Sequence, residues 1–295
     1  MKEPKIFALG FFDGVHLGHQ ALLTACRQLA EAGSDTPAAV TFDIPPAAIL
    51  QETPPRMLNT LENRLELLRQ YGMDCITVYP ANARTLSVSW QDFLEDLLRQ
   101  GAAGFVCGSD YRFGHKGAGN SQILRDFCDE KGLPCVIVPE QTLDGEKISS
   151  TRIRALLEQG QIQEANRLLG HPHILTGTVV SGQQLGRTIG IPTANLLFPA
   201  DLLIPKHGVY ACKVTVDNRT YPAVTNIGTR PTVGGNSVTA EAFLLDFSGD
   251  LYGKQLRIAF YAFLRPEKKF PDLEELKEEI QKNARQTREF FEKSE

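Results

Sequence analysis

Short uninterrupted apolar runs alternate with stretches of helical period through the first half of the chain. Residues 5–10 (KIFALG), 38–42, 75–79, 105–107 and 135–138 are apolar runs of strand length. Between them lie residues 20–32, a stretch carrying Leu61, Leu65 and Leu68, another carrying Phe93, Leu94, Leu97 and Leu98, and residues 122–131. These repeat their apolar positions every three or four residues, the period of a helix with one buried face. Ser89 stands where it caps the third helix, and Gly101 where that helix stops. Strands apolar on both faces need cover on both sides, so the pattern predicts a doubly wound parallel sheet flanked by helices.

The second half changes period. Residues 174–180, 208–217, 220–227, 238–247 and 255–264 are strand-like, and 210–216 alternate apolar and polar positions. Asp217-Asn218 suits a hairpin turn. No helical pattern separates these segments, so consecutive antiparallel strands closing into a small barrel are expected. One helix follows: Asp272 can cap it, and Leu276, Ile280 and Ala284 line one face. A helical pair at 151–158 and 162–169 precedes Gly170-His171-Pro172, which places the expected domains at 1–171 and 172–295.

Composition changes this picture little. The 295 residues are 42% hydrophobic and 22% charged, with a formal net charge of -4, so two cores are expected and a nucleic-acid partner is not. No apolar stretch reaches membrane-spanning length, and the N-terminal residues enter a strand directly, which leads us to expect a cytoplasmic protein without a membrane partner. The oligomeric state stays open. The six cysteines (26, 75, 107, 128, 135 and 212) form no C-x-x-C pair and read as free thiols of a reducing compartment.

Candidate chemistry begins where the first strand ends. Gly10-Phe11-Phe12-Asp13-Gly14-Val15-His16-Leu17-Gly18-His19 leads straight into a helix. A helix start offers unpaired N–H groups and the positive end of a dipole, which suit phosphate. The glycines let backbone approach a ligand, and two histidines three residues apart can face one anion. A metal site would need a third ligand, and none stands at a suitable spacing. Three further polar blocks follow strands: Thr41-Phe42-Asp43, the Gly108–Gly114 block GSDYRFG, and Ile148-Ser149-Ser150-Thr151-Arg152-Ile153-Arg154. Strand ends are where open α/β sheets bind ligands.

The second half holds Gly186-Arg187-Thr188-Ile189-Gly190-Ile191-Pro192-Thr193-Ala194-Asn195 and no Walker sequence. Thr193 and Asn195 offer two hard oxygens for a magnesium ion, or else belong to a Gly/Pro-rich turn. Glu241 sits in an otherwise apolar strand; alternation alone would let it face solvent.

The H-x-G-H block with its three companions resembles the nucleotidylyltransferase part of bacterial bifunctional riboflavin kinase/FAD synthetases. The Gly-Arg-x-x-Gly-x-Pro-Thr-Ala-Asn block resembles the riboflavin kinase part. So do Asn226–Thr232 (NIGTRPT), Glu241–Phe247 (EAFLLDF) and Asp250–Lys254 (DLYGK). The resemblance covers nearly the whole chain with motifs in family order. It implies an H-x-G-H, Rossmann-like nucleotidylyltransferase domain, then a six-stranded antiparallel β-barrel riboflavin kinase domain with a C-terminal helix. It implies phosphorylation of riboflavin to FMN with ATP and Mg²⁺, then adenylylation of FMN to FAD with release of pyrophosphate. It assigns His16 and His19 to adenylyl transfer and Glu241 to catalysis as the base for the riboflavin hydroxyl. Phosphate contacts fall to Gly10, Phe12, Gly14, Gly18, Ser149, Ser150, Thr151 and Arg154, and in the kinase to Gly186, Arg187 and Gly190. Asp110 and Arg265 are implied flavin contacts, and Thr193 and Asn195 the metal ligands. The chain departs from the family pattern at Ile44-Pro45-Pro46, Gly117, Lys147 and Asn283.

Overall fold

The computed structural model describes residues 3–181, 190–232 and 235–293. They form two compact units, Met1–Met57 with Leu61–Ser150, and Leu58–Thr60 with Thr151–Glu295.

The first unit is built on a five-stranded, all-parallel sheet of β1 (Lys5–Leu9), β2 (Thr36–Phe42), β3 (Cys75–Tyr79), β4 (Ala102–Gly108) and β5 (Cys135–Val138). The strand order is β3-β2-β1-β4-β5, so the chain reverses direction across the sheet between β1 and β4. That is the switch point at which doubly wound sheets open a crevice beyond the carboxyl ends of their strands. Among the described residues the longer helices between the strands are α1 (Leu17–Gly33), α2 (Leu61–Gln70), α3 (Trp90–Arg99) and α4 (Ser121–Lys131). Ser89 caps α3 as its sequence predicts, its side chain accepting from the Asp92 amide. Phe7, Leu9, Val40, Phe105 and Cys107 are buried in the core, which explains why these strands read as continuous apolar runs.

In the second unit α5 (Ser150–Gln159) and α6 (Ile162–Leu169) lead into a closed barrel. Its strands are β6 (His173–Val180), β7 (Ala194–Leu197), β8 (Gly208–Val216), β9 (Arg219–Thr232), β10 (Gly235–Leu244) and β11 (Gln255–Arg265). Going round, the order is β6-β7-β10-β9-β8-β11, and every pairing is antiparallel. Helix α6 packs on the barrel, where Asn166 receives the His173 amide at 2.8 Å and donates to the Phe260 carbonyl at 2.8 Å. Helix α7 (Leu273–Glu292) follows, capped by Asp272, which accepts from the amides of Glu274 and Glu275. Its inward face carries Asn283, Ala284, Thr287 and Phe291. Several strand limits differ from the pattern: β4 and β9 run longer than expected, and β10 begins and ends three residues earlier. Ala194–Leu197, read as loop, is a strand, because four residues are too few to show a period. The strand expected to reach Phe247 ends at Leu244, and Asp246 turns the chain with φ +61°. All six cysteines are free and lie buried or half-buried.

His173 opens β6 with its side chain buried, and burial beside His171 lowers its pKa to about 3. A histidine of the unfolded chain takes a proton near pH 6.5. Below that pH the unfolded state binds a proton that the folded barrel refuses, so stability is full above about 6.5 and falls as the pH drops toward 3. The slope is at most about 1.4 kcal/mol per pH unit. Denaturant melts at neutral and mildly acidic pH should show a smaller acid loss in His173→Gln than in the unaltered chain; equal losses would contradict this assignment.

Candidate active sites

Beyond β1 the chain makes a corner that its glycines permit. A Cβ on Gly10 would meet the Phe12 ring at 2.9 Å, so glycine there lets that ring tuck under the strand end. Phe12, Gly14 and Val15 take φ values of +60°, +82° and +41°. For a β-branched residue such as Val15 this is an unusual conformation, of the kind held at sites where geometry matters more than local stability. The turn is closed by the Val15 amide donating to the Phe12 carbonyl at 3.1 Å. His16 then caps α1, its Nδ1 accepting from the His19 amide at 3.3 Å. The rings of His16 and His19 stack with centroids 3.7 Å apart and planes at 15°. Gly18 leaves room for the His16 ring, since a Cβ there would come within 3.1 Å of it. Burial, His16 and then Arg64 hold the His19 pKa well below the ordinary histidine range, so His19 is neutral at physiological pH. Ser150 joins this corner through its Oγ, which donates to the Asp13 carbonyl at 2.9 Å. Ser149 is half-buried beside it in sequence, and Thr151 and Arg154 fall in the second unit.

Next to the corner lies a cavity of about 970 Å³, large enough for a flavin nucleotide. Gly10, Phe11, Phe42, Tyr79, Phe93 and Tyr111 line it, an aromatic wall suited to a flat ring system. Tyr79 donates to Asp96 Oδ2 at 2.6 Å, and Gln100 Nε2 bridges the same two groups. Burial and this acceptor push the Tyr79 hydroxyl pKa up, which keeps it a neutral donor. Arg84, Arg99, His115 and Lys116 supply a basic edge. Asp110 is placed elsewhere: it is exposed and pairs with Lys147 at 3.0 Å, and its neighbour Tyr111 is the residue that faces the cavity. Of the departures from the family pattern, Pro46 and Gly117 line the cavity.

In the barrel, register builds the second site. Glu241 on β10 is paired with Asn195 on β7 and with Asn226 on β9, so three polar residues stand in one row across three strands. Glu241 and Phe243 line a cavity of about 220 Å³ with Asn226, Arg265, Phe270 and Asn283. Glu241 therefore faces a cavity and not bulk solvent. Arg265 Nε donates to Asn283 Oδ1 at 3.2 Å and sits 3.4 Å from Glu279, which fixes the guanidinium at the cavity wall. A second cavity of about 250 Å³ is lined by Pro192, Asn195, Ala242, Phe247, Asp250 and Tyr252, among others. Thr193 lines both cavities. Asn195 is buried and its Oδ1 has no hydrogen-bond partner among the described residues. An amide oxygen left bare in this way fits a hard cation that takes oxygen ligands. Gly190 is exposed with φ +77°, while Gly186 and Arg187 lie outside the described residues. Tyr79 and Asp96 escaped the sequence reading, and Asn226 entered it only as the first residue of a motif, because register and packing alone bring them to a site.

Fold and sites together define a two-domain transferase, one domain with a nucleotidyl-transfer corner and one with a phosphoryl-transfer barrel. Residues 1–152 match the FAD synthetase family model, and residues 169–291 the riboflavin kinase model. Curated relatives called bifunctional riboflavin kinase/FMN adenylyltransferase share 39% identity in Listeria monocytogenes, 35% in Bacillus subtilis and 34% in Escherichia coli K12. These alignments cover 98–99% of this chain and 93–94% of the relatives. The chain belongs to this family, and its activities are those of a riboflavin kinase and an FMN adenylyltransferase, both transferases. Both families use ATP with a divalent metal. A solved structure from Streptococcus pneumoniae, described as a macrolide-efflux protein, superimposes with a TM-score of 0.88 at 29% identity, covering 98% of this chain and 95% of that one. Among the described residues of this chain no helix is long and apolar enough to cross a membrane.

Proposed function

We propose that residues 1–171 adenylylate FMN, that residues 172–295 phosphorylate riboflavin, and that the residues above divide the work as follows. The observation that carries the kinase reading is the wall shared at Thr193. Riboflavin fills the cavity of Glu241 and Arg265, ATP the cavity of Asn195 and Asp250, and Thr193 borders both. Glu241 accepts the proton of the 5′-hydroxyl as its oxygen forms a bond to the γ-phosphorus; the bond from that phosphorus to the β-γ bridging oxygen breaks, and ADP leaves. Arg265 orients the flavin, and Gly186, Arg187 and Gly190 belong to the ATP loop. Thr193 and Asn195 are the residues to hold Mg²⁺. When bound, the ion neutralises charge on the transferring phosphoryl group. The bare Asn195 Oδ1 supports that role.

In the first domain His16 and His19 face the ATP phosphates. The phosphate contacts are Gly10, Phe12, Gly14, Gly18, Ser149 and Ser150; Thr151 and Arg154 keep that role on the motif alone. An FMN phosphate oxygen attacks the α-phosphorus, the bond to the α-β bridging oxygen breaks, and pyrophosphate leaves. Asp110, tied to Lys147, keeps its flavin-binding role on the motif alone, while Tyr111 stands at the wall.

The test is a time course. Purified chain given riboflavin, ATP and Mg²⁺ should form FMN first and FAD after it, separated by chromatography. Asn195→Ala should require more Mg²⁺ for half-maximal kinase rate and lose about 10-fold or more in kcat, the size of one lost charge-assisted contact. Its FAD formation from supplied FMN should be unchanged. A kinase with wild-type Mg²⁺ dependence in that variant would remove Asn195 from the metal site.

A further inference from the structure

Arg64 is a fully buried charged group of the first unit that the reactions above do not use. It lies on α2. Nη2 donates to the Phe42 carbonyl at 2.5 Å and to the Asp43 carbonyl at 3.0 Å, both at the end of β2. The guanidinium carbon lies over the Phe11 ring, 4.2 Å from its centroid, in the corner after β1. Nε and Nη1 have no hydrogen-bond partner among the described residues. A buried guanidinium with two unpaired N–H groups is destabilising, and an apolar side chain would pack this position more cheaply. A charge buried at that cost calls for a task. Asp13 and Asp43 favour its charged form, and burial lowers its pKa to about 10, so it is a cation at neutral pH.

The groups around it belong to both parts of the nucleotidyl-transfer site. Phe11 and Phe42 line the large aromatic cavity. Asp13 and His19 belong to the phosphate corner, where His16, stacked against His19, and Arg64 both disfavour the His19 cation. The Phe12 ring packs edge-on with that of His19, centroids 5.4 Å apart and planes at 72°.

We propose that Arg64 is a positioning residue for adenylyl transfer: it clamps the ends of β1 and β2 into one geometry, setting Phe11 and Phe42 for the flavin, and it holds a fixed positive charge behind His19. The inference rests on the adenylyltransferase assignment of this domain. Negative charge grows on the departing pyrophosphate in the transition state. A cation already fixed in a dry site stabilises that charge without reorganising, and more strongly than it could in water. Arg64 touches no substrate; it acts through Phe11, the β2 carbonyls and His19.

The full-length chain carrying Arg64→Met or Arg64→Lys provides the test, with kcat and KM for FMN adenylylation measured beside the riboflavin kinase rate. Arg64→Met should lower the adenylylation kcat about 10- to 100-fold, the size of one charge-assisted interaction, and leave the kinase rate unaltered. Arg64→Lys keeps the charge but not the planar clamp, so it should recover most of kcat while KM for FMN stays raised. Proton NMR of the His19 ring supplies a reading that fold damage alone would not produce. Its titration should move to higher pH in Arg64→Met, because a repelling cation is gone, and stay in place in Arg64→Lys. Should Arg64→Met fail to fold, the kcat-against-KM split and the unmoved titration in Arg64→Lys carry the test. Equal losses in both variants, or a His19 titration indifferent to the charge at position 64, would overturn the proposal. A wild-type chain making no FAD would instead sink the adenylyltransferase assignment on which it rests.

Discussion

A chain carrying both His16→Ala and His19→Ala makes FMN from riboflavin at the wild-type rate and accumulates it without passing it on to FAD. The two rings form one stacked unit at the start of α1, and no residue of that corner belongs to the barrel. Each imidazole removed costs a contact to a charged phosphate, about 1.5–3 kcal/mol apiece. Together these losses slow FAD formation about 10²- to 10⁴-fold or more. The double variant also loses the cap that His16 provides through Nδ1, roughly 1 kcal/mol of helix stability. Circular dichroism and FMN binding should therefore be recorded beside the two assays. A folded double mutant that lost both activities equally would refute the independence of the sites.

Glu241→Gln has the opposite profile. The substitution keeps size and most hydrogen bonding at the centre of the row formed with Asn195 and Asn226, but removes the basic oxygen. Loss of a general base typically costs about 10²–10⁴ in rate. Phosphoryl transfer leans heavily on positioning and metal, so a fall near the lower end of that range is expected. ATP binding should be nearly unchanged, because the cavity of Pro192, Asn195 and Asp250 is not altered. FAD production from supplied FMN should persist. The check is a pair of assays on one purified variant, started from riboflavin and from FMN. A wild-type rate from riboflavin would leave Glu241 as a wall residue of the cavity without a chemical part.

The order and type of the long elements were legible because burial imposes them. Strands covered on both faces must be apolar where they are buried, as 6–9 and 105–107 are, and helices packed on one side must repeat every three to four residues, as 90–99 do. The H-x-G-H corner was legible for a related reason. Its glycines answer local demands, the room needed by the Phe12 and His16 rings, and local demands are written in adjacent residues. The barrel showed itself through alternation except at Ala194–Leu197, where a four-residue strand leaves no period to detect.

What the linear order could not express is which distant residues meet. Alternation alone would let Glu241 face solvent; the pairing of β7, β10 and β9 sets it between Asn195 and Asn226 and turns it into a cavity. Asp110 followed the motif in sequence, yet an ion pair with Lys147 holds it at the surface while Tyr111 takes the wall. Arg64, a cation three residues after Leu61 and four before Leu68, drew no reading from the sequence; the packing of α2 against the ends of β1 and β2 is what buries it. Periodicity and turn chemistry are short-range and survive in one dimension. Register, burial of a charge and the sharing of Thr193 between two cavities are relations among segments far apart in the chain, and they come into being only when the sheet and the barrel close.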